Sequence, residues 1–370
     1  MPTVEAIDLY RVRIPLLTPF RTAYGCDDAV EPVLVRMEGG GLVGWGEAQA
    51  FRHPTYCPEF GAGIFITLRD VLAPRLLGQD LAVADDLHRR IAAFKGNPFA
   101  RGALDMAWWD LYAKSLRMPL WKALGGVRET ITVGADFGAM ESLDALLAKV
   151  DAAVQAGFAR VKLKFCPGWD VDMVHTVRSA FPKLKFHIDC NSAYTLKDLE
   201  MFRRLDRYGL AMIEQPLAHD DLLDHATLAR QIETPICLDE SITSVEKARK
   251  AIEARACRWV NIKPVRVGGL TAALKINALC ASAGIPCWVG GMLETAIGAS
   301  HCAAMATVRN MGYPCDVFPS SRFFKEDLGR PELFLSGPST MTLPAGIGLG
   351  AEPDPEMLDR LTVERASLRR

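Results

Sequence analysis

VKLKF (Val161–Phe165), FHIDC (Phe186–Cys190), MIEQP (Met212–Pro216), CLDES (Cys237–Ser241) and VNIKP (Val260–Pro264) share one design: a short apolar run that meets a charged residue. Those residues, Lys164, Asp189, Glu214, Asp239 and Lys263, follow one another at steps of 25, 25, 25 and 24 residues. A period of this size marks a repeated supersecondary unit. It is long enough for one strand, one helix and two loops, the make-up of a (β/α) barrel. A barrel gathers the C-terminal ends of its strands on one rim, so the five side chains are expected to converge.

Working outward, ITVGADFG (Ile131–Gly138) reads as a strand before the series and IPCWVGG (Ile285–Gly291) as one after it. Helical stretches such as LDALLAKVDAAVQAG (Leu143–Gly157) and VDMVHTVRSAF (Val171–Phe181) lie between strands. Short apolar strands alternating with helices argue for a parallel sheet buried on both faces. Seven strands are clear, and an eighth is expected near Tyr313–Val317.

The first 125 residues follow another rule. VEAIDLYRVRIPL (Val4–Leu16) alternates, and PVLVRMEGGGLVGWGEA (Pro32–Ala48) reads as a hairpin around glycines. Helical spacing then covers Ile64 to about Ala93 and Phe99 to Leu124, ending at Gly125 and Gly126. The expected organisation is an α+β unit at 1–125 and a barrel at 126–332. A Gly- and Pro-rich tail at 333–370 returns to the first unit.

Composition narrows the function. The 370 residues exceed one ordinary core. Lys+Arg 43 against Asp+Glu 44 gives neither a nucleic-acid footprint nor attraction to anionic lipid. No apolar stretch approaches the roughly 20 residues of a membrane span, and the start lacks a signal-peptide layout. A cytoplasmic protein with a small-molecule partner is the expectation. The 10 cysteines are scattered without C-x-x-C pairs, and several lie in apolar runs, so they read as reduced thiols.

Asp189, Glu214 and Asp239 come from consecutive strands. Any one alone reads as a helix cap or a solvated loop acid. Three in register are costly unless a cation neutralises them, and hard oxygen donors favour Mg²⁺ over zinc, with Mn²⁺ as a substitute. Asn191 and Glu240 are candidates to orient these ligands, or are turn and cap residues. Lys162 and Lys164 alternate with apolar residues and point to one side of their strand. Adjacent ammoniums near a cation are expected to depress the pKa of one of them, giving a base. Lys263 is four strands further round an eight-place ring, facing Lys164 across the mouth. Two lysines on opposite faces of a carbon suit removal and return of a proton beside a metal-held carboxylate. His187, His219 and His225 read as structural.

With those residues in place, the chain resembles the enolase superfamily, in its muconate-lactonising subgroup. PGWD (Pro167–Asp170), IEQPLAHDDLLDHATL (Ile213–Leu228), TPICLDESI (Thr234–Ile242), NIKPVRVGGL (Asn261–Leu270) and GGMLETAIG (Gly290–Gly298) are similar to the o-succinylbenzoate synthase and N-acylamino acid racemase group. The likeness runs from the first strands to about Asp327. It implies Mg²⁺ on Asp189, Glu214 and Asp239, an acid/base pair in Lys164 and Lys263 assisted by Lys162, a capping N-terminal domain and a homo-oligomer. The activities implied are syn dehydration to o-succinylbenzoate, a menaquinone precursor, or racemisation of N-acylamino acids. A dipeptide epimerase or cycloisomerase on the same scaffold is the alternative, and a barrel that only binds a metabolite is the reading from another class. Cap loops near Pro19–Gly25 and Phe51–Phe60 would close over the substrate, so Phe20, Tyr56, Gly291, Met292, Leu293 and Asp316 join Asp136 as substrate-lining candidates. Arg266 matches a position tied to racemases, where it tunes Lys263, or else it holds a loop carboxylate.

Three segments depart from the group. Asp136 replaces a small hydroxyl residue, and would take a cationic substrate group or a nearby lysine. AIGASHC (Ala296–Cys302) lacks the group's arginine, and PCDVF (Pro314–Phe318) keeps only Asp316 of the usual pattern's polar ends. Specificity can shift there while the reaction stays.

Overall fold

A computed structural model describes residues 3–22, 25–138 and 140–370. Its central feature is a parallel sheet of seven strands in sequential order: β1 (Ala135–Phe137), β2 (Val161–Lys164), β3 (Phe186–Asp189), β4 (Ile213–Glu214), β5 (Ile236–Leu238), β6 (Trp259–Ile262) and β7 (Cys287–Val289). All seven are built from the apolar runs. Lys164, Asp189 and Glu214 end their strands and are register partners across β2, β3 and β4. Asp239 and Lys263 directly follow β5 and β6.

The eighth strand does not form as a regular element. Tyr313–Val317 instead closes the ring by single contacts: Cys315 N–H donates to Thr132 O at 2.8 Å, Gly134 N–H to Cys315 O at 3.0 Å, and Asp316 N–H to Val289 O at 2.9 Å. Pro314 has no N–H to give to a ladder, which limits pairing there. The segment read as one strand at Ile131–Gly138 is also divided. Thr130–Thr132 pairs antiparallel with Thr340–Thr342, and only Ala135–Phe137 joins the barrel.

The N-terminal layer is an antiparallel sheet in the order Thr362–Arg369, Ala6–Val12, Val33–Gly39, Leu42–Ala48. The tail therefore enters the barrel's base at Thr340–Thr342, bridges Pro119 at Gly348, and ends as an edge strand beside Ala6–Val12. The helical reading of Ile64–Ala93 is corrected. Helix runs from Gly61 to Arg75 and again from Ala84 to Arg90, with Pro74 and Gly78 (φ +72°) breaking it between. Likewise Phe99–Leu124 becomes Pro98–Ser115 and Leu120–Ala123, parted at Arg117 and Pro119. No helix among the described residues is long and apolar enough to cross a membrane.

The Pro98–Ser115 helix connects the two layers. Its buried Asp105 accepts from Thr271 N at 3.0 Å, and Trp109 Nε1 donates to Thr271 Oγ1 at 2.8 Å, on the helix that follows β6. Its other side lies against Leu42–Ala48, where two glycines make the approach possible. A Cβ on Gly44 would stand 2.1 Å from Ala107 O, and one on Gly46 2.1 Å from Ala103 O. Gly46→Ala should therefore lower stability by about 2 kcal/mol or more, read as a reduced denaturant midpoint with an unchanged slope. An unshifted midpoint would show that the two elements can part at no cost.

Candidate active site

The barrel mouth holds one lattice of buried charge. Lys164 Nζ lies 2.7 Å from Asp189 Oδ2 and 2.7 Å from Asn191 Oδ1. Lys162 Nζ reaches three acids: Asp316 at 2.8 Å, Asp189 at 3.4 Å and Glu214 at 3.7 Å. On the far side Lys263 Nζ is 3.0 Å from Asp239 Oδ2 and donates to the Tyr56 hydroxyl at 3.1 Å.

Behind this front, further residues fix the carboxylates. Asn191 donates its N–H to Asp189 Oδ1 at 3.1 Å and its side-chain amide to Glu240 Oε1 at 3.0 Å. Arg266 pairs with Asp239 Oδ1 and donates to Ile242 O at 3.0 Å and Asn261 O at 2.6 Å. The two readings of Arg266 thus meet in one contact, since the carboxylate it holds is the one that pairs with Lys263.

Several residues here carry no sequence signal of their own. Asn261 Nδ2 donates to Glu214 Oε1 at 2.6 Å. Gln215, in the left-handed region at φ 37°, accepts from the backbone of Asp239 at 3.0 Å and of Ser241 at 3.2 Å. Arg160, fully buried, pairs with Asp316. His187 is a core residue as expected, yet it also reaches Glu214 Oε2 at 3.3 Å and the Tyr313 hydroxyl at 3.1 Å. Adjacency to a signature residue (Glu214–Gln215, Asn261 two before Lys263) is the only hint the sequence offers.

The electrostatics follow from this packing. Burial raises the Asp189 carboxyl, but Lys164 and Lys162 outweigh it and the net shift is downward. Burial likewise opposes the charged form of Lys162, yet Asp316 and Glu214 hold its pKa well above the usual lysine value. The nearest charged neighbours of Lys162 are therefore acids, Asp316 first among them. Lys263 is also raised, burial being outweighed by Tyr56 and Glu240. Glu240 is pushed up by burial and by Asp189.

Among the described residues no group of three or more His, Cys, Asp or Glu is already closed around a metal-sized space; ammoniums stand between the acids. The donor set nonetheless fits a hard divalent cation. It offers oxygen only, from adjacent strand ends; Glu240 Oε2 is buried without a hydrogen bond, and Asp239 Oδ2 has the Lys263 ammonium beside it at 3.0 Å without a well-formed hydrogen bond.

One cavity brings the predicted residues together. Lys162, Lys164, Asp189, Asn191 and Lys263 line it with Asp136, Asp316, Gly291, Met292, Leu293, Phe20 and Tyr56; Phe51, Phe318 and Phe323 complete the wall. Glu214, Asp239, Glu240 and Arg266 stand behind it. The cap reaches this cavity twice. The Ile14–Thr22 strand carries Phe20 and bonds from Leu17 N–H to Phe323 O at 2.9 Å; of the expected loop Pro19–Gly25, Ala23 and Tyr24 lie outside the described residues. The Phe51–Phe60 loop carries Tyr56 and is anchored by Glu59, whose carboxylate accepts from Phe99 N at 2.8 Å and Ala100 N at 3.2 Å at the start of the long helix.

Burial pushes Glu59 up to about 7. A folded pKa above the unfolded value favours the protonated form, so its stabilising contribution is full below about 4.5 and is lost as pH rises through about 7. Glu59→Gln should remove this dependence. The wild type should lose up to about 3 kcal/mol between pH 4.5 and pH 8 that the variant keeps. Parallel stability curves for the two in denaturant titrations would sink the assignment.

Comparison with known proteins gives the same picture. Residues 6–125 match the mandelate racemase / muconate lactonizing enzyme N-terminal domain, and residues 145–357 the enolase C-terminal domain-like family. Over 360 residues the chain is 44% identical to an N-succinylamino acid racemase of Thermus thermophilus, covering 97% of each chain. It is 42% identical over 360 residues to an o-succinylbenzoate synthase of Geobacillus kaustophilus, covering 97% of this chain and 96% of that one. The crystal structure of an enolase superfamily member from Listeria innocua superposes with a TM-score of 0.96 at 35% identity, with 100% of both chains covered.

Proposed function

We propose, for a chain that belongs to the enolase superfamily in its mandelate racemase / muconate lactonizing branch, Mg²⁺-dependent abstraction of the proton α to a carboxylate. The products would be o-succinylbenzoate by syn dehydration, a racemised N-acylamino acid, or both. The observation that carries the reading is the pair Lys164 and Lys263, from strands four places apart, lining one cavity and each held by a different strand-end carboxylate.

Asp189, Glu214 and Asp239 would hold the Mg²⁺ or a substituting Mn²⁺, which when bound supplies a Lewis acid for the substrate carboxylate. The chain's own residues do the rest. Lys164 and Lys263 flank the α-carbon, so one takes the proton and either returns it. Lys162 adds fixed positive charge where negative charge develops. Asn191, Asn261 and Arg266 orient the carboxylates. Tyr56 positions Lys263 from the cap, and the aromatic wall excludes water. We further propose a cytoplasmic homo-oligomer whose cap is 1–125 with the returning tail, over a catalytic barrel at 126–332.

The test is proton exchange in D₂O with N-acylamino acids, alongside dehydration of the o-succinylbenzoate precursor. Lys164→Ala and Lys263→Ala should each lower racemisation by at least a thousandfold. Each variant should keep α-deuterium exchange with only one enantiomer, and the two should keep opposite ones. Exchange of both enantiomers by either variant would defeat the two-base arrangement.

Metal dependence has a readout besides activity. Removing divalent cations should abolish turnover, and Mg²⁺ at a hundred times its dissociation constant should add about 2.7 kcal/mol of stability. Asp239→Asn should blunt that gain in Mg²⁺ thermal-shift titrations; a full gain in the variant would place the cation elsewhere.

A further inference from the structure

Asp136 lines the same cavity as the two lysines. It lies on β1, in register with Lys162 on β2, and is only 9% exposed. Its Oδ1 is buried and accepts no hydrogen bond. The reason is that every neighbouring cation is already taken. Lys162 sits 2.8 Å from Asp316. Arg160 pairs with Asp316 and donates to Pro314 O at 3.0 Å and Ala135 O at 3.0 Å. Arg322 donates to the backbone carbonyl of Asp136, not to its carboxylate, and rests on the Phe318 ring 4.2 Å from its centroid. No ion pair to the Asp136 side chain forms among the described residues. Its charge adds to the acids that favour the Lys162 ammonium and the Arg160 guanidinium, without pairing to either.

A buried carboxylate oxygen that accepts no hydrogen bond from the protein is unfavourable until a donor reaches it. In a cavity lined by the two lysines, a substrate group can be that donor. The walls agree on its charge. Phe20, Phe51, Phe318 and Phe323 border the same space, and a carboxylate among aromatic faces is a receptor for an ammonium or guanidinium. A second carboxylate placed there would meet Asp136 as a like charge.

We propose that Asp136 is the specificity residue of this pocket and receives the cationic end of the substrate, so that preferred substrates carry an α-carboxylate and a distal ammonium or guanidinium. This rests on the α-proton chemistry proposed above and narrows its substrate class to N-acyl derivatives of basic amino acids with an uncharged acyl group. The dicarboxylate precursor of o-succinylbenzoate would be a poor substrate.

The experiment compares α-deuterium exchange with N-acetyl-lysine, N-acetyl-arginine, N-acetyl-norleucine and N-succinyl-norleucine, for the wild type, Asp136→Asn and Asp136→Ser. The wild type should favour the basic substrates over N-acetyl-norleucine by at least tenfold in kcat/KM. Both variants should lose at least tenfold of that ratio, and Asp136→Ser should gain on N-succinyl-norleucine relative to N-acetyl-lysine. Calorimetric binding of N-acetyl-lysine is measured separately, without turnover. Exchange that ignores side-chain charge, or losses equal for basic and neutral substrates in both variants, would overturn the role of Asp136 while leaving the chemistry standing. Charge-selective binding that depends on Asp136 with no exchange at all would support the receptor and sink the chemistry.

Discussion

Asp189, Glu214, Asp239 and Asp316 can be buried at the mouth of a barrel because each lies beside a cation from another segment of the chain. Removing ionised groups from water costs several kcal/mol apiece, and the mutual attraction repays it only when geometry and hydrogen bonding are complete. The rim meets that condition by reciprocity. Lys162 serves Asp189, Glu214 and Asp316, Asp239 serves Lys263 and Arg266, and Asn191 joins Lys164 to Glu240. Several members have two partners, Asp189 with Lys162 and Lys164 and Asp316 with Lys162 and Arg160, so the lattice is cross-linked. Asp316 is its joint to the fold. It comes from the irregular closing segment, and its pairing with Arg160 and Lys162 does electrostatically what a regular eighth strand would do through a backbone ladder.

The same charge lattice explains why the cap belongs to the site. Lys263 is fully engaged on its barrel side by Asp239, and its remaining contact is the Tyr56 hydroxyl, which only the N-terminal layer can supply. That loop is fastened through Glu59 to the helix that also docks, through Asp105 and Trp109, on the segment after β6. Strand end, loop and helix thus form one closed circuit around Lys263. Lys263 is held from the barrel by Asp239 and from the cap by Tyr56.

Much of this was legible before any coordinates, and for a physical reason. A βα repeat converts three-dimensional convergence into a linear period, so Lys164, Asp189, Glu214, Asp239 and Lys263 could be read as neighbours from spacing alone. The resemblance to the enolase superfamily extended the reading to the cap loops. What stayed hidden lacks periodicity. Asn261, Gln215 and Arg160 are held by contacts between strands far apart in sequence. Tyr313–Val317 pairs through isolated hydrogen bonds that leave no alternating pattern. The Ile64–Ala93 stretch kept helical spacing across a break that Pro74 and Gly78 impose. The surroundings of the lysine pair stayed hidden for a different reason. Sequence shows that Lys162 and Lys164 are adjacent, but not that Asp316, 154 residues away from Lys162, lies closest to it.

The distinction between shared and unshared charge also separates reaction from specificity. Residues inside the lattice are tied to one another by charge, so a change at Asp189, Glu214, Asp239 or the lysines alters the surroundings of their partners as well. Asp136 is inside the cavity but outside the network of ion pairs: its charge acts on Lys162 and Arg160 without pairing to either, and its strand is fixed by backbone pairing. Exchange of that side chain alters what the cavity accepts and leaves the proton-transfer machinery intact. Within the cavity, Asp136 is thus the wall carboxylate with an oxygen left open to a substrate group.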